Sequence, residues 1–169
     1  MKKTLCAALT AVLTLSLLSA CAGGAPQKQA DLSEFAKGLQ EKYEFASYLM
    51  EMTPEYEYFE EDMERALPEL LDLDLEQQVI LMTLININNG EIDLVQAKNA
   101  EDAAKVKEIF QARIDYMVGD GESPGGASYP GPTELWANHA QVAVKGNYVM
   151  LVCGEDDGQI VEDFNALFE

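Results

Sequence analysis

Two pairs of apolar segments, each pair joined by a tight turn, constrain the fold more than any other feature of this sequence. The first pair meets at Asn89-Gly90, a dipeptide typical of type I′ hairpin turns. The second pair meets at Gly146-Asn147, which fits a type II′ turn. Strands joined by turns this short are antiparallel. The four predicted strands are Val79 to Ile87, Ile92 to Ala97, Gln141 to Lys145 and Tyr148 to Cys153.

Apolar residues at helical spacing follow each hairpin. Asn99 is placed to cap the first of these helices, and Asp156 or Asp157 to cap the second. The resulting order, β-β-α-β-β-α, predicts an α+β fold in which an antiparallel four-stranded sheet carries its helices on one face. The apolar stripes are Val106, Ile109, Phe110, Ile114 and Met117 in the first helix, and Ile160, Val161, Phe164, Leu167 and Phe168 in the second.

An N-terminal helical segment precedes the sheet. Apolar spacing predicts a helix from residue 32 to about residue 50. A second apolar patch follows, but Pro68 interrupts it and favours two short pieces over one helix. The sequence therefore predicts a single globular domain over residues 32–169, with helices in residues 32–75 and the sheet with its helices in residues 76–169.

The first twenty residues have the parts of a secretory signal peptide. They contain two lysines, an apolar run from Leu5 to Leu18, and small residues before Cys21. The apolar run is shorter than the roughly 20 residues that span a bilayer. Leu18-Ser19-Ala20-Cys21 resembles the site at which bacterial lipoproteins are lipidated and cleaved. An ordinary secretory signal with a coincidental cysteine is the alternative interpretation.

The resemblance to the lipoprotein signal implies that residues 1–20 are removed and that a diacylglycerol is attached to Cys21. A further acyl group makes such anchoring stable, since one chain holds a protein only marginally. Residues 21–31, which begin with the lipidated cysteine and contain Gly23, Gly24 and Pro26, are predicted to form a flexible tether. The membrane, reached through the lipid, is therefore the first predicted partner.

The chain is strongly acidic, with 30 acidic residues, 11 basic residues and a net charge of −19. This excess argues against binding to nucleic acid and against lying flat on an anionic bilayer. Residues 51–76 hold eleven carboxylates against Arg65 alone. Such a run is typical of a solvated face, and the functional alternative is a site for a cation or a basic partner.

The cysteines argue against an intramolecular disulfide in the mature chain. Cys6 leaves with the signal peptide and Cys21 carries the lipid, so Cys153 is the remaining thiol. Because Cys153 ends an apolar strand, the sequence predicts a core residue there rather than a nucleophile.

One residue of the helix after Asn99 breaks its apolar pattern. Arg113 lies within about 20° of Val106 on a helical wheel, in the middle of the stripe. A buried arginine needs a partner, and Glu91, which opens the second strand, is the candidate. Two interpretations stay open. Arg113 forms a structural contact, either an ion pair or a packed stem with its head at the sheet edge, or its guanidinium binds an anion in a pocket.

The sequence offers no catalytic, cofactor-binding or metal-binding pattern. His139 is the only histidine, and no acidic residue stands at a spacing that would orient it, which disfavours hydrolytic triads and zinc sites. The glycines between residues 119 and 126 do not join a strand to a helix as a phosphate-binding loop requires. Glu155 to Gly158 lacks the spacing of a calcium loop. Trp136, the only tryptophan, is predicted to anchor the core.

Four segments of the chain follow one another in an order that is typical of a family of bacterial lipoproteins. They are Glu91 to Val95, the helix that carries Arg113, Tyr129-Pro130, and the hairpin Val144 to Val149. Over roughly residues 32–169 they resemble the family called domain of unknown function 4358. The resemblance implies a small lipoprotein of a Gram-positive bacterium and carries no established activity. Between Val118 and Ser128 the chain departs from the family pattern.

These features predict a lipoprotein on the extracytoplasmic face of the cell membrane, acting as a non-enzymatic binding module for an envelope protein, peptide or saccharide. Its candidate surfaces are the Glu91 and Arg113 pair and the hairpin residues Gly146, Asn147 and Tyr148. The alternative is a small hydrolase of envelope carbohydrate or peptide that uses carboxylates of residues 51–76. A third possibility is a structural lipoprotein. An enzyme would need a concave site with a carboxylate of raised pKa, whereas a module needs an exposed patch.

Overall fold

The computed structural model describes residues 28–83, 90–122 and 125–169. Within these ranges the chain forms five strands and five α-helices, which confirms the predicted α+β class. The strands are β1 (Met50–Met52), β2 (Leu75–Met82), β3 (Glu91–Ala97), β4 (Ala140–Lys145) and β5 (Tyr148–Cys153). The helices are α1 (Leu32–Lys42), α2 (Phe59–Ala66), α3 (Ala100–Val118), α4 (Pro130–His139) and α5 (Asp157–Ala166).

All described strands pair antiparallel in one sheet of order β1-β2-β3-β5-β4. The β4–β5 hairpin is confirmed, and Lys145 pairs with Tyr148 across its turn. Gly146 has a φ of 58°, whereas Asn147 has no positive φ, and this combination is that of a type II′ turn. Strand β2 ends at Met82, five residues before its predicted end, and residues 84–89 lie outside the described ranges. The predicted type I′ turn at Asn89-Gly90 therefore also falls partly outside them.

The sheet has five strands, so the prediction of four is wrong in this detail. The additional strand, β1, pairs at the edge with β2, where Met50 lies opposite Met82. It begins at residue 50, where the N-terminal helix was predicted to end, whereas α1 already ends at Lys42. A strand of three residues is too short to produce an alternating pattern, and its pairing is set by the neighbouring strand.

Helices cover both faces of the sheet, and the prediction that they pack on one face is wrong. Helices α2, α3 and α4 share one apolar cluster with the sheet, here called the α3 face. Helices α1 and α5 share a second cluster, here called the α5 face. Strand β5 contributes Val149, Leu151 and Cys153 to the first and Tyr148, Met150 and Val152 to the second. A continuous apolar run such as Tyr148–Cys153 is typical of a strand buried on both sides.

Helix α4 was not predicted from the sequence. It begins with Pro130, whose ring is tolerated in the first turn because the missing N–H would have no partner there. The opening Pro-Gly-Pro lowers helix propensity, and packing of Trp136 against the α3 face supplies the stabilisation. The break at Pro68 is confirmed, since α2 ends at Ala66 and a separate 3-10 turn spans Pro68–Asp72.

The predicted caps have different outcomes. Asn99 caps α3 as predicted, and its side-chain oxygen accepts a hydrogen bond of 2.9 Å from the backbone N–H of Asp102. Asp156 precedes α5 but makes no capping hydrogen bond through its side chain. Asp157 lies inside the helix and its carboxylate accepts a hydrogen bond from Gln141 of β4. Asp156 thus occupies the predicted N-cap position of α5, but without the hydrogen bond that a capping side chain would accept.

Tyr148 is a core residue, which corrects its prediction as part of a hairpin surface. Its side chain is 1% exposed, and its ring lies 4.8 Å from that of Phe168, centroid to centroid. Gly146 is exposed and Asn147 is half-buried, so of the three predicted residues only these two contribute to the solvent-accessible surface of the turn. Cys153 is fully buried as predicted, and burial raises the pKa of its thiol.

The signal peptide, Cys21 and most of the predicted tether lie outside the described ranges. Gln29, Ala30 and Asp31 lie within them and contact the domain. Among the described residues, no helix is long and apolar enough to cross a bilayer.

The turn of the β4–β5 hairpin yields a test of the topology. Gly146→Ala places a side chain at positive φ, and we expect it to lower the free energy of unfolding by at least about 1 kcal/mol. Gly158→Ala is the control, because it lies in α5 with open space around it, and we expect it to be neutral or stabilising. Urea denaturation of both variants measures the difference, and equal stabilities would contradict the turn geometry.

Candidate functional site: a buried charged cluster with one opening

The predicted pair Glu91 and Arg113 lies between the sheet and α3. Glu91 opens β3, and its side chain points to the α3 face, as do those of Val95 and Ala97 further along the strand. Helix α3 crosses this face in contact with β3, β4 and β5. Because Arg113 belongs to the apolar stripe of α3, the packing that buries the stripe also carries the guanidinium over Glu91.

The structure brings Arg113 and Glu91 together as a bidentate ion pair. Arg113 Nε donates to Glu91 Oε1 at 3.0 Å, and Nη2 donates to Oε2 at 2.8 Å. The side chains are 12% and 4% exposed. Burial lowers the pKa of Arg113, but the Glu91 carboxylate outweighs this effect and the pKa is raised. The two charges can be buried in this geometry because the hydrogen bonds between the guanidinium and the carboxylate replace the hydrogen bonds to water that both groups lose.

Asp93 is a third charged residue of the cluster, and the sequence analysis did not single it out. It lies two residues after Glu91 on the same face of β3 and is fully buried. Neither carboxyl oxygen accepts a hydrogen bond from the described residues, and the polar neighbour is the Glu91 carboxylate, to which a protonated Asp93 donates. Burial, reinforced by the negative charge of Glu91, raises the pKa of Asp93 well above its ordinary value, and Arg113 opposes this only in part. Asp93 therefore holds its proton to a higher pH than an ordinary aspartate does.

Trp136 of α4 closes the cluster from the side, and its predicted role as a core anchor is confirmed. The indole is 1% exposed, and the Arg113 Cζ atom lies 5.7 Å from the ring centroid. This distance allows a cation–π attraction, which is stronger for a desolvated guanidinium than for an exposed one. The indole Nε1 has no hydrogen-bond partner among the described residues.

Arg113 reaches the surface at one cavity of about 330 Å³, here called the Arg113 cavity. Arg113 Nη1 makes only a long contact of 3.5 Å with the carbonyl oxygen of Ala66, so this nitrogen keeps donor capacity. Tyr116 at the rim is 64% exposed. The lining residues are Arg65, Ala66, Leu67, Pro68, Glu69, Ile109, Ala112, Arg113 and Tyr116.

His139 has an acidic neighbour, which corrects the expectation that no acid would orient it. Its Nδ1 lies 3.3 Å from Asp157 Oδ1, and the imidazole is 42% exposed. The contact joins residues of α4 and α5 that are 18 positions apart, so no local sequence pattern predicts it. The Asp157 carboxylate also accepts from Gln141, and it thereby connects α5 to β4.

The acidic residues 51–76 lie in and around β1, α2 and the following 3-10 turn. Asp62 is an exception to their general exposure, since it is 7% exposed and lies 3.5 Å from Arg65 Nη1. In the part of the chain that the structure describes, no group of three or more histidine, cysteine, aspartate and glutamate side chains could hold a metal ion.

Comparison of the chain with protein-family models, with curated proteins and with solved structures finds no match. The resemblance to the lipoprotein family therefore stays a prediction, and functional inference depends on the residues of the site.

The ion pair can be tested by removing one partner or both. Arg113→Met leaves the Glu91 carboxylate buried and unpaired, and we expect the free energy of unfolding to fall by about 3–5 kcal/mol. Glu91→Leu combined with Arg113→Met removes both charges and should cost less than the sum of the single variants. Additive single effects would contradict the pairing. Arg65→Met removes an exposed arginine of the same cavity and should change stability little.

The protonation of Asp93 predicts an unusual pH dependence. Because the folded state holds its proton after the unfolded chain has lost it, the contribution to stability is complete below about pH 3.9 and declines as the pH rises towards the raised pKa. Asp93→Asn should flatten this decline in denaturation curves measured from pH 4 to pH 9. Asp72→Asn, which removes an exposed carboxyl, should leave the decline in place. An unchanged slope in Asp93→Asn would show that Asp93 ionises freely.

Proposed function

We propose that this protein is an extracytoplasmic lipoprotein, anchored through Cys21, that acts as a non-enzymatic binding module. The family resemblance and the location in a Gram-positive envelope belong to the same proposal. The observation that carries the binding role is the Arg113 cavity, which is lined by a mostly buried, oriented guanidinium whose Nη1 nitrogen makes only one long hydrogen bond.

The composition of the Arg113 cavity fits ligand binding. Its volume is at the lower end of the range of small-ligand pockets, about 300–1,000 Å³. Tyrosine and arginine carry binding energy more often than other residues, and Tyr116 and Arg113 lie together here with apolar Leu67, Pro68 and Ile109. Because Glu91 and Trp136 already fix the guanidinium, binding would not require Arg113 to lose further conformational freedom.

The charges around the cavity favour a neutral acceptor over an anion. Glu91 balances the charge of Arg113, Glu61 and Asp62 pair with Arg65, and Glu69 lies in the lining. An anionic ligand would meet this carboxylate without a free positive charge to offset it. An amide carbonyl needs only the spare N–H of Arg113. Amide carbonyls occur in peptides and in N-acetylated sugars, the two ligand classes that the proposal covers.

A larger groove of about 600 Å³ between α1 and α5 is less suited to this role. Its polar rim is already internally bonded, since Lys42 Nζ and the Tyr43 hydroxyl both donate to the Asp163 carboxylate. The Tyr43 contact measures 2.7 Å and the Lys42 contact 2.6 Å. A ligand there would have to break these bonds before forming its own.

The hydrolase alternative receives no support from the position of Asp93. A general acid needs a raised pKa and access to substrate. Asp93 has the raised pKa, but it is fully buried and lines none of the cavities described above. Asp93 therefore adds nothing to the hydrolase alternative, which was predicted on the carboxylates of residues 51–76.

A thermal-shift screen tests the binding role. The mature chain with Cys21→Ser is mixed with muropeptides, N-acetylated oligosaccharides, short peptides and divalent cations. Ligand at a hundred times its dissociation constant adds about 2.7 kcal/mol and should raise the midpoint by roughly 5–10 °C.

A matched pair of tyrosine variants locates the bound ligand. Tyr116→Ser should abolish the shift, whereas Tyr129→Ser should retain it, because Tyr129 is similarly exposed but lies outside the Arg113 cavity. A shift that survives Tyr116→Ser would place binding outside the Arg113 cavity. A screen in which none of the four probe classes raises the midpoint would contradict the proposal that the protein binds these ligands.

A further inference from the structure

We infer that the domain stands on the membrane with one pole facing the lipid and that the Arg113 cavity faces away from it. The inference rests on the proposed anchoring through Cys21. The near pole is the end of the sheet that holds Gln77, Gln96 and Tyr148, and the far pole is the end that holds Glu91 and Cys153.

The chain reaches the domain at the near pole. The backbone N–H of Ala30 donates to the Tyr148 hydroxyl at 3.2 Å, and Gln77 Nε2 donates to the Ala30 carbonyl at 2.9 Å. The backbone N–H of Leu32 then donates to Gln77 Oε1 at 3.0 Å. Gln29 Oε1 lies 3.3 Å from the Tyr148 hydroxyl. The polypeptide is therefore fixed to the sheet from Gln29 onwards.

The two poles are separated by the length of the central strands. In the β3–β5 register, Gln96 lies opposite Tyr148 at one end and Glu91 lies opposite Cys153 at the other. Six residues of a strand span about 20 Å. Helix α3 starts at the near pole, after β3 ends, and Arg113 lies about 20 Å along it, beside Glu91. The ion pair and its cavity are consequently at the far pole.

Attachment of the tether at the near pole holds that pole closest to the bilayer. Gln29 is eight positions after Cys21, so the fully extended chain between them spans at most about 28 Å. A compact domain of about 140 residues has a radius of gyration near 14 Å and a diameter of roughly 35–40 Å. Turning the far pole to the membrane would require the tether to be almost fully extended along the side of the domain, which costs a flexible chain its conformational freedom.

This orientation limits the sources from which the ligand of the proposed function can come. In this orientation the lipid headgroups lie about 20 Å from the Arg113 cavity of the molecule that they anchor. The peptide or N-acetylated sugar whose carbonyl accepts from Arg113 would therefore come from the cell wall or from another envelope protein, on the side away from the bilayer.

The orientation can be measured with the full lipidated protein in phosphatidylcholine vesicles that carry a headgroup acceptor dye. A donor dye is attached at Glu76→Cys near one pole or at Glu155→Cys near the other; both positions are exposed. Buried Cys153 should not react, and the labelled parent protein measures its background. We expect energy transfer to place position 76 about 20 Å closer to the bilayer surface than position 155. Equal distances, or a closer position 155, would overturn the inference.

Two further variants separate this inference from the anchor itself. Cys21→Ser should not float with the vesicles, and failure of the lipidated parent to float would overturn both the anchor and the orientation. A tether lengthened by twenty Gly and Ser residues exceeds the domain diameter, and the difference between positions 76 and 155 should shrink. A difference that persists unchanged would show that tether length does not set the orientation.

Discussion

The burial of β3 and β5 on both faces is the constraint on which the rest of the structure depends. Every residue of β5 and nearly every residue of β3 is buried, so each face needs its own cover of helices. The chain provides α1 and α5 for one face and α2, α3 and α4 for the other. In such a sheet, a charged residue on a central strand cannot escape to solvent. Glu91 and Asp93 are in this position, and the two carboxyls reach stability by different means.

Pairing stabilises one carboxyl and protonation the other. A bidentate guanidinium compensates Glu91 for lost hydration, whereas Asp93 avoids the cost of a buried charge by holding its proton to a higher pH and donating it to the Glu91 carboxylate. The two states depend on each other. If Asp93 were ionised, two negative charges would share one arginine in a medium of low dielectric constant. Arg113 therefore organises the interior of the α3 face as well as its cavity.

The sequence predicted those parts of this arrangement that local patterns encode. The β4–β5 hairpin, the Asn99 cap and the break at Pro68 follow from turn and helix chemistry within a few residues. Arg113 was found because it violates a helical stripe, and Glu91 because a buried arginine needs an acid. Asp93 was missed although it alternates with Ile92 and Leu94, because the β3 strand was assumed to have one face towards solvent. That same assumption hid the second helical layer, and β1, α4 and the contact of His139 with Asp157 depend on tertiary packing.

The hydrogen bonds that hold Ala30 also determine how the domain would bear load. With the anchor at one end of the central strands and a partner at the other, a pulling force would act parallel to β3 and β5. The hydrogen bonds between antiparallel strands lie perpendicular to that direction. These hydrogen bonds would therefore be loaded in shear and would resist together, instead of opening one after another. The force between lipid and ligand would then be transmitted through β3 and β5, the strands buried on both faces.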